Sequence, residues 1–133
     1  MDIALATGVG NQALELRNCR RLDDRDYSSM LSVRSGPFSA DIAFYFEAHG
    51  LTKFVADLES LNKTLTGRAR LKLEHEDPFL ELEGDGRGHI KVRGKLLQTG
   101  PDFQTLSFEF TCDQTALPPF VEAMKGLQRE HVT

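Results

Sequence analysis

The side chains of this chain that could do chemistry are few and scattered. Its four histidines are His49, His75, His89 and His131. None makes a His-x-x-x-His pair, and none shares a helix with a carboxylate four residues on, so the spacing carries no zinc-hydrolase signature. His75 and His89 each border a hairpin strand, with Glu74, Glu76 and Glu81 nearby. A stable metal centre needs three or four convergent ligands with groups behind them to hold their orientation, so solvated hairpin residues are the expectation here. Cys19 and Cys112 lie far apart in the chain and outside any Cys-x-x-Cys pair. They read as buried small hydrophobes rather than a bridge. No metal and no cofactor is expected.

Gly84-Asp85-Gly86-Arg87-Gly88 resembles a phosphate loop only superficially. It lacks the Gly-x-x-x-x-Gly-Lys order, and a strand pattern rather than a helix follows it. Its glycines therefore read as positive-φ turn positions. Neither Gly-x-Ser-x-Gly nor Ser-x-x-Lys occurs in a context that would activate a nucleophile. The expectation is a protein that is not an enzyme.

Charge is the feature that stands out. The chain carries 16 basic and 20 acidic residues, a net charge of −4, which argues against nucleic acid as a partner. Between Glu74 and Asp85 lie Glu74, Glu76, Asp77, Glu81, Glu83 and Asp85 with no lysine or arginine among them. Six acids on one hairpin would concentrate negative potential and steer a cationic partner. The same run would also serve as a solubilising edge that resists sheet-to-sheet aggregation, with no partner involved. Two basic rows oppose it: Arg68, Arg70 and Lys72 on one strand, and Lys91, Arg93 and Lys95 on another. If those strands are neighbours they form a positive strip, unless Glu109 or Glu15 intersperses.

The elements that must position these residues follow from periodicity. At 133 residues with 40% hydrophobic and 27% charged content, the chain reads as one globular domain, 1–133. No run approaches the ~18 apolar residues of a membrane span, and the first residues lack a signal-peptide pattern, so a cytoplasmic protein without a membrane partner is expected. Alternation predicts strands at about Ala13–Cys19 and Met30–Arg34, with Arg20–Asp26 as a loop. The clearest strand follows, with Phe38, Ala40, Ile42, Phe44 and Phe46 on its apolar face. The period then changes: Leu51, Phe54, Val55, Leu58, Leu61 and Leu65 form the stripe of an amphipathic helix with Gly67 as its stop. Four further strands carry Ala69–Leu73, Leu80 and Leu82, Ile90–Leu96, and Leu106–Phe110. A second helix, on Leu117, Phe120, Val121, Met124 and Leu127, takes Pro118-Pro119 into its first turn. The fold class is α+β: an antiparallel sheet of about seven strands, in one or two layers, with two helices in the order βββα-ββββα.

One pattern occurs twice. Gly36-Pro37 precedes Ile42, Phe44 and Phe46 at the offsets at which Gly100-Pro101 precedes Leu106, Phe108 and Phe110. Each strand then feeds a helix reading Leu-x-x-Phe-Val-x-x-(Leu/Met)-x-x-Leu, the second after a connection two residues longer. Convergence on a sheet-packed helix is one account; a pseudo-two-fold repeat with halves of about 13–66 and 67–130 is the other. The repeat places Phe44, Phe46, Phe54, Phe108, Phe110 and Phe120 in a shared interior, with Phe38 on the same strand face.

These segments resemble the WapI-type bacterial immunity proteins and related domains of unknown function. The likeness rests on Phe44-x-Phe46 running into the Leu51–Leu61 stripe, on Leu-x-Leu-x-Gly-x-Gly-x-Gly-His from Leu80 to His89, and on Phe108 to Leu117 with its Asp-Gln-Thr-x-Leu. It spans roughly Phe38 to Leu127, about two-thirds of the chain. The resemblance implies a cytoplasmic antidote, not an enzyme, that neutralises a cognate toxin by protein–protein binding, in the prototype an RNA-cleaving one. Glu74, Glu76, Asp77, Glu81, Glu83 and Asp85 are then the candidate contact residues. The alternative is a small-ligand-binding or structural module, including a homodimer formed through a sheet edge.

Overall fold

A computed structural model of the chain describes residues 1–72 and 78–129. Eight strands form two antiparallel four-stranded meanders, each followed by a helix. The elements are β1 (Ile3–Leu5), β2 (Gln12–Arg21), β3 (Asp26–Ser35), β4 (Phe38–Glu47), α1 (Ala48–Thr64), β5 (Thr66–Lys72), β6 (Phe79–Asp85), β7 (His89–Gln98), β8 (Gln104–Asp113) and α2 (Leu117–Gln128). The order is thus ββββα-ββββα, one strand more than alternation predicts. The added strand, β1, buries Ile3 and Leu5 and pairs with Leu14–Leu16 of β2. Three residues are too few for a period of two to register. The polar stretch read as a loop is also shorter, because Arg20 and Arg21 belong to β2 and Asp26 to β3.

The repeat is present in the contacts as well as in the order. Each helix seats on the first strand of the other repeat: α1 packs on β5, and α2 packs on β1. The sheets meet in the same reciprocal way, β3 against β8 and β4 against β7. Exchanging the two halves maps this contact set onto itself, as a pseudo-two-fold requires. The helices also pack on each other, so the stripes Leu51/Phe54/Val55/Leu58/Leu61 and Leu117/Phe120/Val121/Met124/Leu127 are buried. Both sheets and both helices contribute to one apolar cluster. The longer connection in the second copy is a turn of 3₁₀ helix, Gln114–Ala116, capped where the Asp113 carboxylate accepts from the Thr115 N–H at 3.0 Å.

Two expectations are corrected. Phe38 does not join the buried phenylalanines: it is 62% exposed, while Phe44 and Phe46 further along the same strand face are fully buried. Alternation assigns a face but does not show where along the strand the opposing layer ends. Helix α1 also stops before Gly67, at Leu65, which takes the left-handed conformation (φ 60°) and donates its N–H to the Leu61 carbonyl. The glycine-rich hairpin explains why the chain can turn there. A Cβ on Gly84 would lie 2.3 Å from the Leu65 carbonyl oxygen, and the Gly86 N–H donates to that same oxygen at 2.8 Å. Gly86 and Gly88 do take positive φ as expected, but Gly84 is there for close approach to the end of α1.

Candidate functional site

The charges singled out from the sequence assemble on one face of the second sheet, in an arrangement that strand order decides. β6 lies between β5 and β7, so the two basic rows are not neighbours and no positive strip forms. Glu81 faces Arg70 on one side and Arg93 on the other; Glu83 faces Arg68 and Lys91. The Arg70 Nε donates to Glu81 Oε1 at 3.1 Å, and the Arg93 Nε donates to Glu81 Oε2. Arg68 reaches Glu83 at 3.0 Å and Glu81 at 3.9 Å. Arg70 further lies over the Phe79 ring, 4.3 Å from its centroid, which fixes the guanidinium plane. Bonding to Glu81 raises the pKa of Arg93 above its already high value, so the guanidinium stays charged throughout.

This lattice determines what the acidic stretch can present. Glu81 is completely buried beneath its arginines and offers no carboxylate to solvent. The Glu83 side chain is 29% exposed and is held by Arg68. Asp85 stands in the β6–β7 turn, where it accepts from the Arg87 N–H (2.7 Å) and His89 N–H (3.1 Å) and contacts His89 Nδ1 at 2.9 Å. Those N–H groups, Arg87 foremost, together with the His89 ring, pull its pKa down from 3.8 to about 2. Glu74, Glu76 and Asp77 lie outside the described residues, as do His75 and His131. Among the described residues, no cluster of three metal-ligating side chains is placed to hold an ion. Cys19 and Cys112 are both buried thiols, the Cys19 Sγ donating to the Leu16 carbonyl, and burial pushes the Cys112 thiol up to about 11.

Two surface grooves bear on binding. One, of about 610 Å³, runs between the polar face of α1 and the outer face of β5; His49, Lys53 and Asp57 form one wall and Arg68, Arg70 and Lys72 the other. Its lining is charged, unlike the mostly apolar clefts that hold small ligands. The second, of about 340 Å³, opens between Ser39–Ile42 of β4 and the tip of the β7–β8 hairpin, Leu96–Gln98 and Gln104–Leu106. Phe38 immediately precedes one wall and Phe103 the other, and they are 62% and 63% exposed. Sequence reading placed Phe38 in the core and passed over Phe103. The available signal was position, since each phenylalanine sits at a strand start just after a Gly-Pro turn, at the end of its sheet remote from the helix.

The described residues thus form a double-meander α+β scaffold with a packed apolar interior and with charged strands and a few aromatic rings outside. The chain belongs to the immunity protein WapI-like family, whose model matches residues 8–130. That membership bears out the resemblance seen in the Phe-x-Phe and Leu-x-x-Phe-Val segments, and the family suggests a toxin-neutralising role with a protein toxin as partner. No curated protein and no solved structure matches the chain. No helix among the described residues is long and apolar enough to cross a membrane.

Proposed function

We propose that this chain is a non-enzymatic, cytoplasmic immunity protein that neutralises a cognate nuclease toxin by binding it and occluding its working surface. The observation that carries the reading is the family match across residues 8–130. An antidote of this kind needs no chemistry of its own: it must bury an interface of roughly 1,600 Å² and outcompete substrate. A net charge of −4 suits a partner built to hold phosphates and speeds encounter with it. Because Glu81 is buried and Glu83 is held by Arg68, the acidic stretch would act through Asp85, which is exposed, and through Glu74, Glu76 and Asp77, which lie outside the described residues.

The test is co-expression with the toxic domain encoded in the reading frame beside this chain's gene. Survival of cells that the domain alone kills, together with recovery of a stable complex of the two chains, is the expected result. Continued killing at high levels of folded immunity chain would overturn the proposal.

A further inference from the structure

The two halves of the fold, residues 1–65 and 66–129, are joined covalently at one place, the step from α1 into β5. There the chain reverses on a single residue. Helix α1 ends at Thr64 and β5 begins at Thr66. The strand runs back along the helix, so that a Cβ on Gly50, at the start of α1, would lie 3.5 Å from the carbonyl oxygen of Lys72, at the end of β5. Leu65 makes the reversal in the left-handed region (φ 60°, ψ 18°), which a bulky side chain adopts only at a cost that glycine avoids. Gly67 follows at φ 87°. The reversal is also crowded, since its carbonyl at Leu65 fits only because Gly84 lacks a Cβ.

Every other tie between the halves is non-covalent and interlocked. Each half supplies the seat for the other half's helix, the helices pack on each other, and the sheets meet at β3–β8 and β4–β7, so neither half closes the apolar core alone. The boundary is also crossed by polar bonds: Ser35 Oγ donates to the Glu109 carbonyl and Gln128 Nε2 to Thr52 Oγ1, each at 3.2 Å. Cys19 lies in one half and Cys112 in the other, both as buried thiols, so no disulfide locks the pair. One strained crossing between two halves that share a core is the arrangement from which domain exchange follows. When the reversal at Leu65 opens, the first half of one copy accepts the second half of another through the contacts already present in the monomer, and Leu65 leaves the left-handed region in both chains. We infer that this chain forms a half-exchanged dimer with Leu65 as its hinge, each unit built from residues 1–65 of one copy and 66–129 of the other. The partner is a second copy because only it carries surfaces complementary to both halves.

The test is refolding of the full chain from denaturant, with mass read by light scattering. Raising the chain from ~5 µM to ~500 µM should increase the dimer fraction at least about tenfold, because exchange is second order in chain and closure within one chain is first order. After equilibration in mild denaturant, Leu65→Gly should shift the balance about 30-fold toward monomer, since it removes the hinge cost from each of two chains. Exchange is told from side-by-side association by Thr52→Cys with Gln128→Cys, which puts one thiol on each helix where the halves touch. A short bis-maleimide should join the isolated dimer into a covalent two-chain species and the isolated monomer only within its own chain; Cys19 and Cys112 are buried and do not compete. Links confined within each chain of the dimer overturn the inference. So does a monomer at every concentration, and so does a balance that Leu65→Gly leaves unmoved. Each of these outcomes leaves the immunity reading above untouched, because exchange keeps the outer surface of each unit as it is in the monomer.

Discussion

Arg70 donates its Nε to the Oε1 of Glu81 across the β5–β6 pair at 3.1 Å, and the carboxylate it binds is wholly buried. A buried charge is tolerable only while its partners remain, and here Arg93 completes the pairing from the opposite strand. Glu81→Gln keeps the volume but leaves two guanidiniums facing an amide. The arginines are about one-third exposed, so water can partly rescue them. The expected cost is about 2 kcal/mol, below the ~3–5 kcal/mol of a fully buried broken pair. Urea unfolding of the variant checks this; an unchanged midpoint would show that the lattice contributes nothing to stability.

Gly84 supplies a steric prediction. Alanine there must displace either the Leu65 carbonyl or the Leu61 side chain, which sits 2.8 Å from the added Cβ. Gly84→Ala should therefore lose about 1–3 kcal/mol, as overpacking does. Gly10→Ala, with nothing within 4 Å of its Cβ, should be neutral. Equal midpoints for the two variants in denaturant would contradict the close packing of α1 against the hairpin.

These two positions also mark how far the sequence could be read. The β4 alternation and the Leu51–Leu61 stripe were legible because one buried face imposes its period over many residues. The repeat was legible for the same reason, and its reciprocal contacts bear it out. β1 escaped because it is three residues long and draws its stability from pairing with β2 and from α2 above it. Glu81 was correctly placed on the face opposite Leu80 and Leu82, but its burial depends on β6 lying between two arginine-bearing strands. Strand order is a tertiary fact that alternation does not encode. Phe38 illustrates the complementary gap: its face was right, and the reach of the opposing sheet was not.

The β6–β7 turn predicts an acid-sensitive step. The folded-state pKa of Asp85 is lowered to about 2 by the Arg87 and His89 N–H groups and the His89 ring, so its contribution is present above its ordinary value of 3.8 and is lost as pH falls towards 2. Asp113 and Asp23 are lowered as well, by the N–H groups they cap. Unfolding midpoints should fall between pH 4 and pH 2, and Asp85→Asn should fall less steeply across that window. An identical slope in wild type and variant would contradict the capping role.

Burial holds the Cys112 thiol near 11 and encloses Cys19, so neither should be a reactive nucleophile in the folded chain. At pH 8 a thiol-specific reagent is expected to label both only at the rate of unfolding, with full labelling in denaturant. Rapid labelling of the native protein would show an access path to the core.

The central claim is that this chain silences a toxin by occupying it. The direct measurement is titration of the purified toxic domain's own activity, proposed above to be nuclease activity, with this chain. The account predicts a linear fall to zero at one chain per toxin, with active toxin recovered when the complex is dissociated. Lasting inactivation by substoichiometric chain, which would mean turnover, or full activity at saturating chain would contradict it.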